Sequence, residues 1–469
     1  MLRCGLAIAG FDPSAGAGVL LDVVVFRSLG VYGFGVVSSI FVESGAEYRY
    51  ALPVPSKVVE DQIRVLVESY PIHVVKIGAL YSGENIEAVA RILSEMLGDV
   101  PIVLDPLIRA STGGPLLDPS AVEVLKRRLL PIATVVTPNV REAEVLSGIR
   151  IQSLDDAKRA AKIIADTYGV KAVLVKGGHL PGEEVFDVLY VNGEIREFRS
   201  SRLGVDVHGT GCVLSTAIAA YLAKGFSIVE AVERGREVVR YAMEYSFAIG
   251  RGSRLPNPLS VLEIDAERYR AIKDVEDALR ELLRYSHTVA EFVPEVGMNI
   301  ARALPPPYAR GIDDVAAIEG RIVRVGDTVK PVGCIRMGAS RHMARAVLAA
   351  QKLDPRIRAV ANLRYDPRLV EAAKELGLEV VYIDRRSEPE DVKAVEGASI
   401  PWIVGKAFEE AKRIPDIVYD TGDVGKEPMV RVFGSSARDV VEKMIRIVER
   451  ARCVGGSASE EKRHPVTGL

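Results

Sequence analysis

Through about residue 260 the chain repeats one arrangement, a short apolar run followed by an amphipathic stretch. The runs are LAIAG, GVVSSIFV, HVVKIGAL, VPIVLDP, TVVTPN and AVLVKGG, and the amphipathic stretches include 56–70, 84–97, 119–129 and 155–169. Short buried strands alternating with helices dictate an α/β domain built on a mainly parallel sheet flanked by helices. In such a sheet a ligand sits outside the carboxyl ends of the strands. Several of the runs end there on a polar residue or a glycine: Asp12, Asp105, Asn139 and Gly177.

The repeat stops at AIGRGSRLPNPLS (248–260), which is rich in Gly, Pro and Ser and lacks helical period. We place a domain boundary just after it, giving a first domain over 1–262. A helix is expected at roughly 265–287. A second, smaller α/β domain then extends to 452, with strands at RIVRV, AVANLR, EVVYID, DIVYD and MVRVFG and helices at 340–352, 367–376, 403–413 and 436–450. The polar stretch 453–469 reads as a disordered tail. A length of 469 residues fits two or three domains. A formal charge of −2 gives no electrostatic reason to expect nucleic acid or an anionic membrane as a partner. Four cysteines with no CxxC pair argue against a disulfide scaffold or structural zinc and fit a reducing cytoplasm. No apolar run approaches the roughly 18 residues of a membrane span.

The strongest local signal is HGTGCVLSTAIAAYLAKG (208–225). Gly209 and Gly211 let the backbone approach an anion, and the helix that follows offers free N–H groups and a positive dipole end. Cys212 falls on the first turn of that helix, where a thiol pKa is lowered from about 8.5. A thiolate there could accept a hydroxyl proton; the alternative is a small buried cysteine beside a tight turn. AGFDPSAGAGVLLD (9–22) is a second glycine-rich turn opening a helix. Asp105 at a strand end and the pair Asn139 and Glu142 could hold Mg²⁺ through water, or could be a helix cap and solvated acids. Lys176 before two glycines suits phosphate neutralisation.

In this order the pieces resemble the hydroxymethylpyrimidine/phosphomethylpyrimidine kinases of the ribokinase-like superfamily. The resemblance covers about residues 4–258 and includes GVYG (30–33), KIG (76–78), GPLLDPSA (114–121), TPNVREA (137–143), VKGGH (175–179) and HGTGC (208–212). It implies ATP as co-substrate, Mg²⁺, and two successive phosphorylations of one hydroxymethylpyrimidine. It also implies roles: Cys212 as general base; Gly209, Thr210 and Gly211 as anion hole; Lys176, Asn139 and Glu142 on ATP and Mg²⁺, with Asp105 as a further metal ligand; Gly10 and Asp22 on the pyrimidine. The family places Gln where this chain has Glu43, and Met where it has Ala79. Glu43 can still accept from an exocyclic amine or pair with a protonated ring nitrogen; the plain alternative is a surface loop acid. A dimer is also implied.

In the second half, GASRHMARAVLAA sets Gly338, Ala339 and Ser340 before a helix with Arg341 and His342 on its first turn. The loop YDTGDVGKEPM does not have P-loop spacing. Together with PEVGMNIARALP, DVAAIEGRI, NLRYDP and DRRSEPEDVKAVEG, these segments resemble the archaeal-type thiamine-phosphate synthase domain. That resemblance implies condensation of the pyrimidine pyrophosphate with a thiazole phosphate. Arg321 and His342 would be catalytic, and Asn299, Asn362, Arg386, Glu388 and Lys426 substrate contacts. Two other readings stand beside it: a thiamine-phosphate sensor in place of a synthase, and a kinase acting on pyridoxal or a related ring.

Overall fold

A computed structural model describes residues 2–109, 113–178, 182–423 and 425–460. His179 of the VKGGH motif and Val424 of the second-half loop therefore lie outside the described residues. The chain divides into two compact units, Met1–Leu262 and Glu263–Leu469.

The first unit is built on nine strands: β1 (Arg3–Phe11), β2 (Val31–Glu43), β3 (Tyr48–Pro53), β4 (Val74–Ile77), β5 (Ile102–Leu104), β6 (Val135–Val136), β7 (Ala172–Val175), β8 (Glu184–Val191) and β9 (Glu194–Ser201). They form one sheet in the order β3-β2-β1-β4-β5-β6-β7-β8-β9. The six strands from β2 to β7 are parallel, and antiparallel pairs close both edges. Alternate side chains of β1 enter opposite cores. Leu6 and Ile8 pack with Ile77, Leu104 and Val136 on one face, and Ala7 and Ala9 with Val74, Val103 and Ile218 on the other. Burial on both faces is why these strands read as unbroken apolar runs. The helix Thr210–Ala223 lies on the second face against β1, β4 and β5, bringing its N-terminus to the carboxyl edge of the sheet.

The second unit has strands β10 (Ile300–Ala303), β11 (Val315–Ile318), β12 (Ile322–Val325), β13 (Thr328–Pro331), β14 (Ile335–Met337), β15 (Ala359–Arg364), β16 (Val380–Tyr382), β17 (Ile417–Asp420) and β18 (Met429–Gly434). Seven of them form a sheet in the order β14-β11-β10-β15-β18-β17-β16, and β12 and β13 form a separate hairpin. Only the β16–β17 pair is parallel. The helices Arg341–Leu353 and Ser399–Glu410 bury Met343, Val347, Ile403 and Val404 against Val360, Val418 and Phe433. The helix Ser260–Arg284 is tied into this unit at Asp274, which accepts from Arg302 Nε at 2.7 Å and from the Ala437 N–H at 2.8 Å. The last helix spans Ala437–Glu460. The segment from 453 to 460 is therefore helical instead of coil, because adding residues to an existing helix is cheap compared with starting one. Residues 461–469 lie outside the described residues.

Candidate active sites

A cavity of about 1130 Å³ opens at the carboxyl edge of the first sheet. One end is lined by Gly10, Phe41, Glu43, Ala79 and Leu116, the other by Asn139, Glu142, Lys176 and Gly178, with Gly209–Cys212 on its wall. Gly209 is the N-cap of the helix Thr210–Ala223 at φ 74°, and a Cβ there would stand 1.9 Å from the Gly16 carbonyl. Only glycine meets both conditions. Gly10 is equally confined, since a Cβ would fall 2.0 Å from the Phe41 ring.

The two glycine-rich turns are joined by a pair formed by Asp12, named above at the sheet edge, and His208, to which the sequence reading gave no role. His208 Nε2 lies 3.1 Å from Asp12 Oδ2, and Asp12 Oδ1 accepts from the Ser14 N–H at 2.8 Å. Although burial opposes it, these contacts hold the Asp12 carboxyl below its usual range, and the Asp12 contact raises His208 against its own burial. Both residues sit inside quoted motifs, and a polar residue flanking each turn was the available signal.

Glu43 ends β2 and lines the cavity, which rules out the surface-loop alternative. Its Oε2 is buried without a hydrogen-bond partner. Burial first, then Asp12, pushes this acid up to about 7.

Three expectations change here. Asp22 does not line the cavity. It is wholly buried, with Oδ2 2.6 Å from Lys76 Nζ and Oδ1 accepting from Thr216 at 2.7 Å. An unpaired carboxylate so deep would be prohibitive, which is why a lysine sits in the apolar strand β4. Lys76 itself reaches the cavity. Asp105 is likewise committed, 2.8 Å from Lys176 Nζ and bonded by Thr137 and Ser215, so its carboxylate is not free for a metal. The Cys212 thiol is not lowered by the helix end; burial pushes it up to about 11, against the opposing pull of Lys76. Asn139 and Glu142 do form a helix cap, with reciprocal bonds of 2.8 and 3.0 Å, yet both still line the cavity. Glu142 Oε1 is buried without a partner, and burial raises this acid to about 7. That free oxygen fits a hydrated cation. Among the described residues, though, no cluster of three or more His, Cys, Asp or Glu could hold a metal alone, so a bound nucleotide would have to supply most of the ligands.

The second unit gathers cations at one end of its sheet. Arg431, almost wholly buried, donates to Asp420 Oδ2 at 2.8 Å, and Arg385 approaches the same oxygen at 3.8 Å. Lys426 Nζ lies 3.1 Å from Glu388 Oε2, and Glu388 Oε1 is buried without a partner. His342 as a residue is exposed at the helix start, yet desolvation of its ring, and then the guanidinium groups of Arg431, Arg321, Arg385 and Arg345, push it down to about 4. Arg321, Glu388, Lys426 and His342 are thus brought to one region. Asn299 and Asn362 are not free to contact a substrate. Asn299 bonds the Ile318 carbonyl and the Ile300 and Ile318 N–H groups, and Asn362 bonds the Asn299 N–H and the Gly297 carbonyl. Buried backbone groups between short strands demand such partners. Arg386 is also displaced: it faces solvent in a bidentate pair with Asp384, and its neighbour Arg385 turns inward. Arg345 and Arg431 were missed, and of the adjacent candidates Arg385 and Arg386 the resemblance implies the outward one as the substrate contact. The signal for Arg431 was an arginine inside the apolar strand MVRVFG.

The sequence matches the family model for phosphomethylpyrimidine kinase over residues 12–257 and that for thiamine-phosphate synthase ThiN over residues 274–446. It is 32% identical to the bifunctional thiamine biosynthesis protein ThiDN of Methanocaldococcus jannaschii, over 94% of this chain and 97% of the relative. It is 38% identical to the hydroxymethylpyrimidine/phosphomethylpyrimidine kinase of Aquifex aeolicus, over 53% of this chain and 96% of the relative. The fold of the first half is similar to that of pyridoxal kinase from Staphylococcus aureus in complex with pyridoxal, with a TM-score of 0.52 and 30% identity, covering 56% of this chain and 95% of that one.

Proposed function

Because the chain belongs to the family of bifunctional proteins in which a phosphomethylpyrimidine kinase precedes a thiamine-phosphate synthase ThiN domain, we propose a division of chemistry between its two halves. With ATP, residues 1–262 phosphorylate 4-amino-5-hydroxymethyl-2-methylpyrimidine to its phosphate and then its pyrophosphate. Residues 263–452 join that product to a thiazole phosphate, giving thiamine phosphate and pyrophosphate. The observation that carries the kinase reading is the single cavity that combines an apolar ring-sized end with an anion-binding helix start at Gly209–Gly211.

In the kinase half Cys212 first releases its own proton to solvent; the substrate hydroxyl oxygen then attacks the γ-phosphorus, the bond to the ADP oxygen breaks, and the hydroxyl proton passes to the Cys212 thiolate. The backbone of Gly209, Thr210 and Gly211 binds the transferring phosphoryl oxygens. Lys176 lies beside them, and Asn139 fixes the strand-to-helix turn under the nucleotide. Gly10 and Glu43 receive the ring. Mg²⁺, when bound with the phosphates, neutralises charge building on the leaving oxygen; the free oxygen of Glu142 would hold it through water. In the synthase half the pyrophosphate leaves toward Arg321, Arg345, Arg385, Arg431 and Lys426. With its pKa lowered to about 4, His342 stays neutral at ordinary pH and can accept a proton.

The test is one incubation of the whole protein with the hydroxymethylpyrimidine, Mg-ATP and thiazole phosphate, following thiamine phosphate by fluorescence after oxidation to thiochrome. Cys212→Ala is expected to abolish product. His342→Ala is expected to abolish it while the pyrimidine pyrophosphate accumulates. Pyrimidine pyrophosphate without thiamine phosphate from the wild type would make the second half a sensor. A parallel arm with pyridoxal addresses the other ring, and turnover of pyridoxal alone would overturn the substrate assignment.

A further inference from the structure

Cys212 lines the same cavity as Lys76 and Lys176, the cations of two ion pairs, Asp22–Lys76 at 2.6 Å and Asp105–Lys176 at 2.8 Å. The lysines of both pairs favour the thiolate form of Cys212, and the aspartates oppose it. The pairs differ in what they leave available. Lys176 is partly exposed and faces the nucleotide end of the cavity. Lys76 has no solvent exposure, and Asp22 is its only hydrogen-bond acceptor among the described residues. An ammonium carries three N–H groups, so two remain on a buried cation that lines the cavity. The surroundings fix where they sit. Asp22 is anchored through its other oxygen to Thr216, four residues past Cys212 and hence on the same helix face. Gly78 leaves open the space beside Nζ, where a Cβ would stand at 3.0 Å.

A buried base of this kind meets a simple difficulty. To accept the substrate proton the sulfur must first be a thiolate, and it sits where water cannot stabilise the charge. Of the four charged groups around it, Lys76 acts on the sulfur most strongly and in the stabilising sense.

We propose that Lys76, held by Asp22 and Thr216, is the positioning residue that sustains the Cys212 thiolate in the kinase site. This rests on the kinase reading for its role in turnover. The cycle balances: the thiol first releases its proton to solvent, the thiolate then takes the hydroxyl proton as the oxygen–phosphorus bond forms and the bond to ADP breaks, and the thiol is restored. Asp22 sets the strength of the device. It keeps Lys76 charged, and it also returns part of that charge's effect to zero.

The experiment reads the sulfur directly, without the kinase reaction. The full-length protein is treated with iodoacetamide at several values between about pH 7 and pH 10, and labelling of the Cys212 peptide is quantified by mass spectrometry, separately from Cys334 and Cys453. Below the thiol pKa the rate tracks the thiolate fraction, so a change of about ten-fold corresponds to about one pKa unit. Because Lys76→Met alone leaves Asp22 buried and unpaired, the comparison is Asp22→Asn against Asp22→Asn/Lys76→Met, which separates the lysine from the pair. Labelling of Cys212 is expected to fall by about ten-fold or more at each pH when Lys76 is lost, with Cys334 and Cys453 unchanged. Equal labelling in the two variants, or no labelling of Cys212 in the wild type at the highest pH, would overturn the proposal. A thiol that follows Lys76 in a protein that phosphorylates no pyrimidine would leave this inference standing and sink the substrate assignment instead.

Discussion

At Glu43 one carboxylate oxygen is buried without a partner beside the cavity, and the acid titrates near about 7 instead of 4.5. With its folded pKa above the unfolded one, stability from this group is fully present below about pH 4.5 and is lost as pH rises through about 7. Glu43→Gln is therefore expected to raise the melting temperature at about pH 8 while changing it little at about pH 4. Calorimetry at both values checks this, and an unchanged gap between them would mean that the carboxylate is solvated. The sequence made Glu43 conspicuous because it departs from a resemblance. It could not reveal whether the carboxyl was buried. Arg385 and Arg386 show the same limit: two adjacent arginines in the turn Arg385–Ser387 are interchangeable on paper, and only the path of the turn sends one inward to Asp420 and the other out to Asp384.

Among the elements, legibility followed burial and composition. The parallel strands β1, β4 and β7 are covered on both faces and spell continuous apolar runs. In the second unit, β10 and β11 carry IARA and VAAI, four residues each and rich in alanine, which has little strand preference. They passed unnoticed, and with them the antiparallel character of that sheet. The capping box at Asn139 and Glu142 was visible as NxxE and open to two readings; its geometry is that of the cap, with Glu142 Oε1 left without a partner. Asn139→Ala should cost about 1 kcal/mol of stability through loss of the cap and also raise the KM for ATP. Denaturant unfolding together with kinase kinetics tests this. A stability loss with an unchanged KM would reduce Asn139 to a cap.

For the whole molecule, the pyrimidine pyrophosphate made by one half is the substrate of the other. Unlabelled pyrimidine pyrophosphate added to a reaction with labelled hydroxymethylpyrimidine is expected to dilute the label in thiamine phosphate fully, as for an intermediate released to solution. Retention of label would point to direct transfer. The four cysteines divide by depth, with Cys4 and Cys212 buried and Cys334 and Cys453 exposed. Oxidants attack thiolates that they can reach. A buried sulfur that is mostly thiol, with only a minor thiolate fraction sustained by Lys76, is a poorer target than an exposed one, so peroxide should mark the two outer cysteines first. The same burial that makes Cys212 a reluctant base then works as a preservative, leaving the kinase chemistry intact in a chain whose surface already bears oxidative damage.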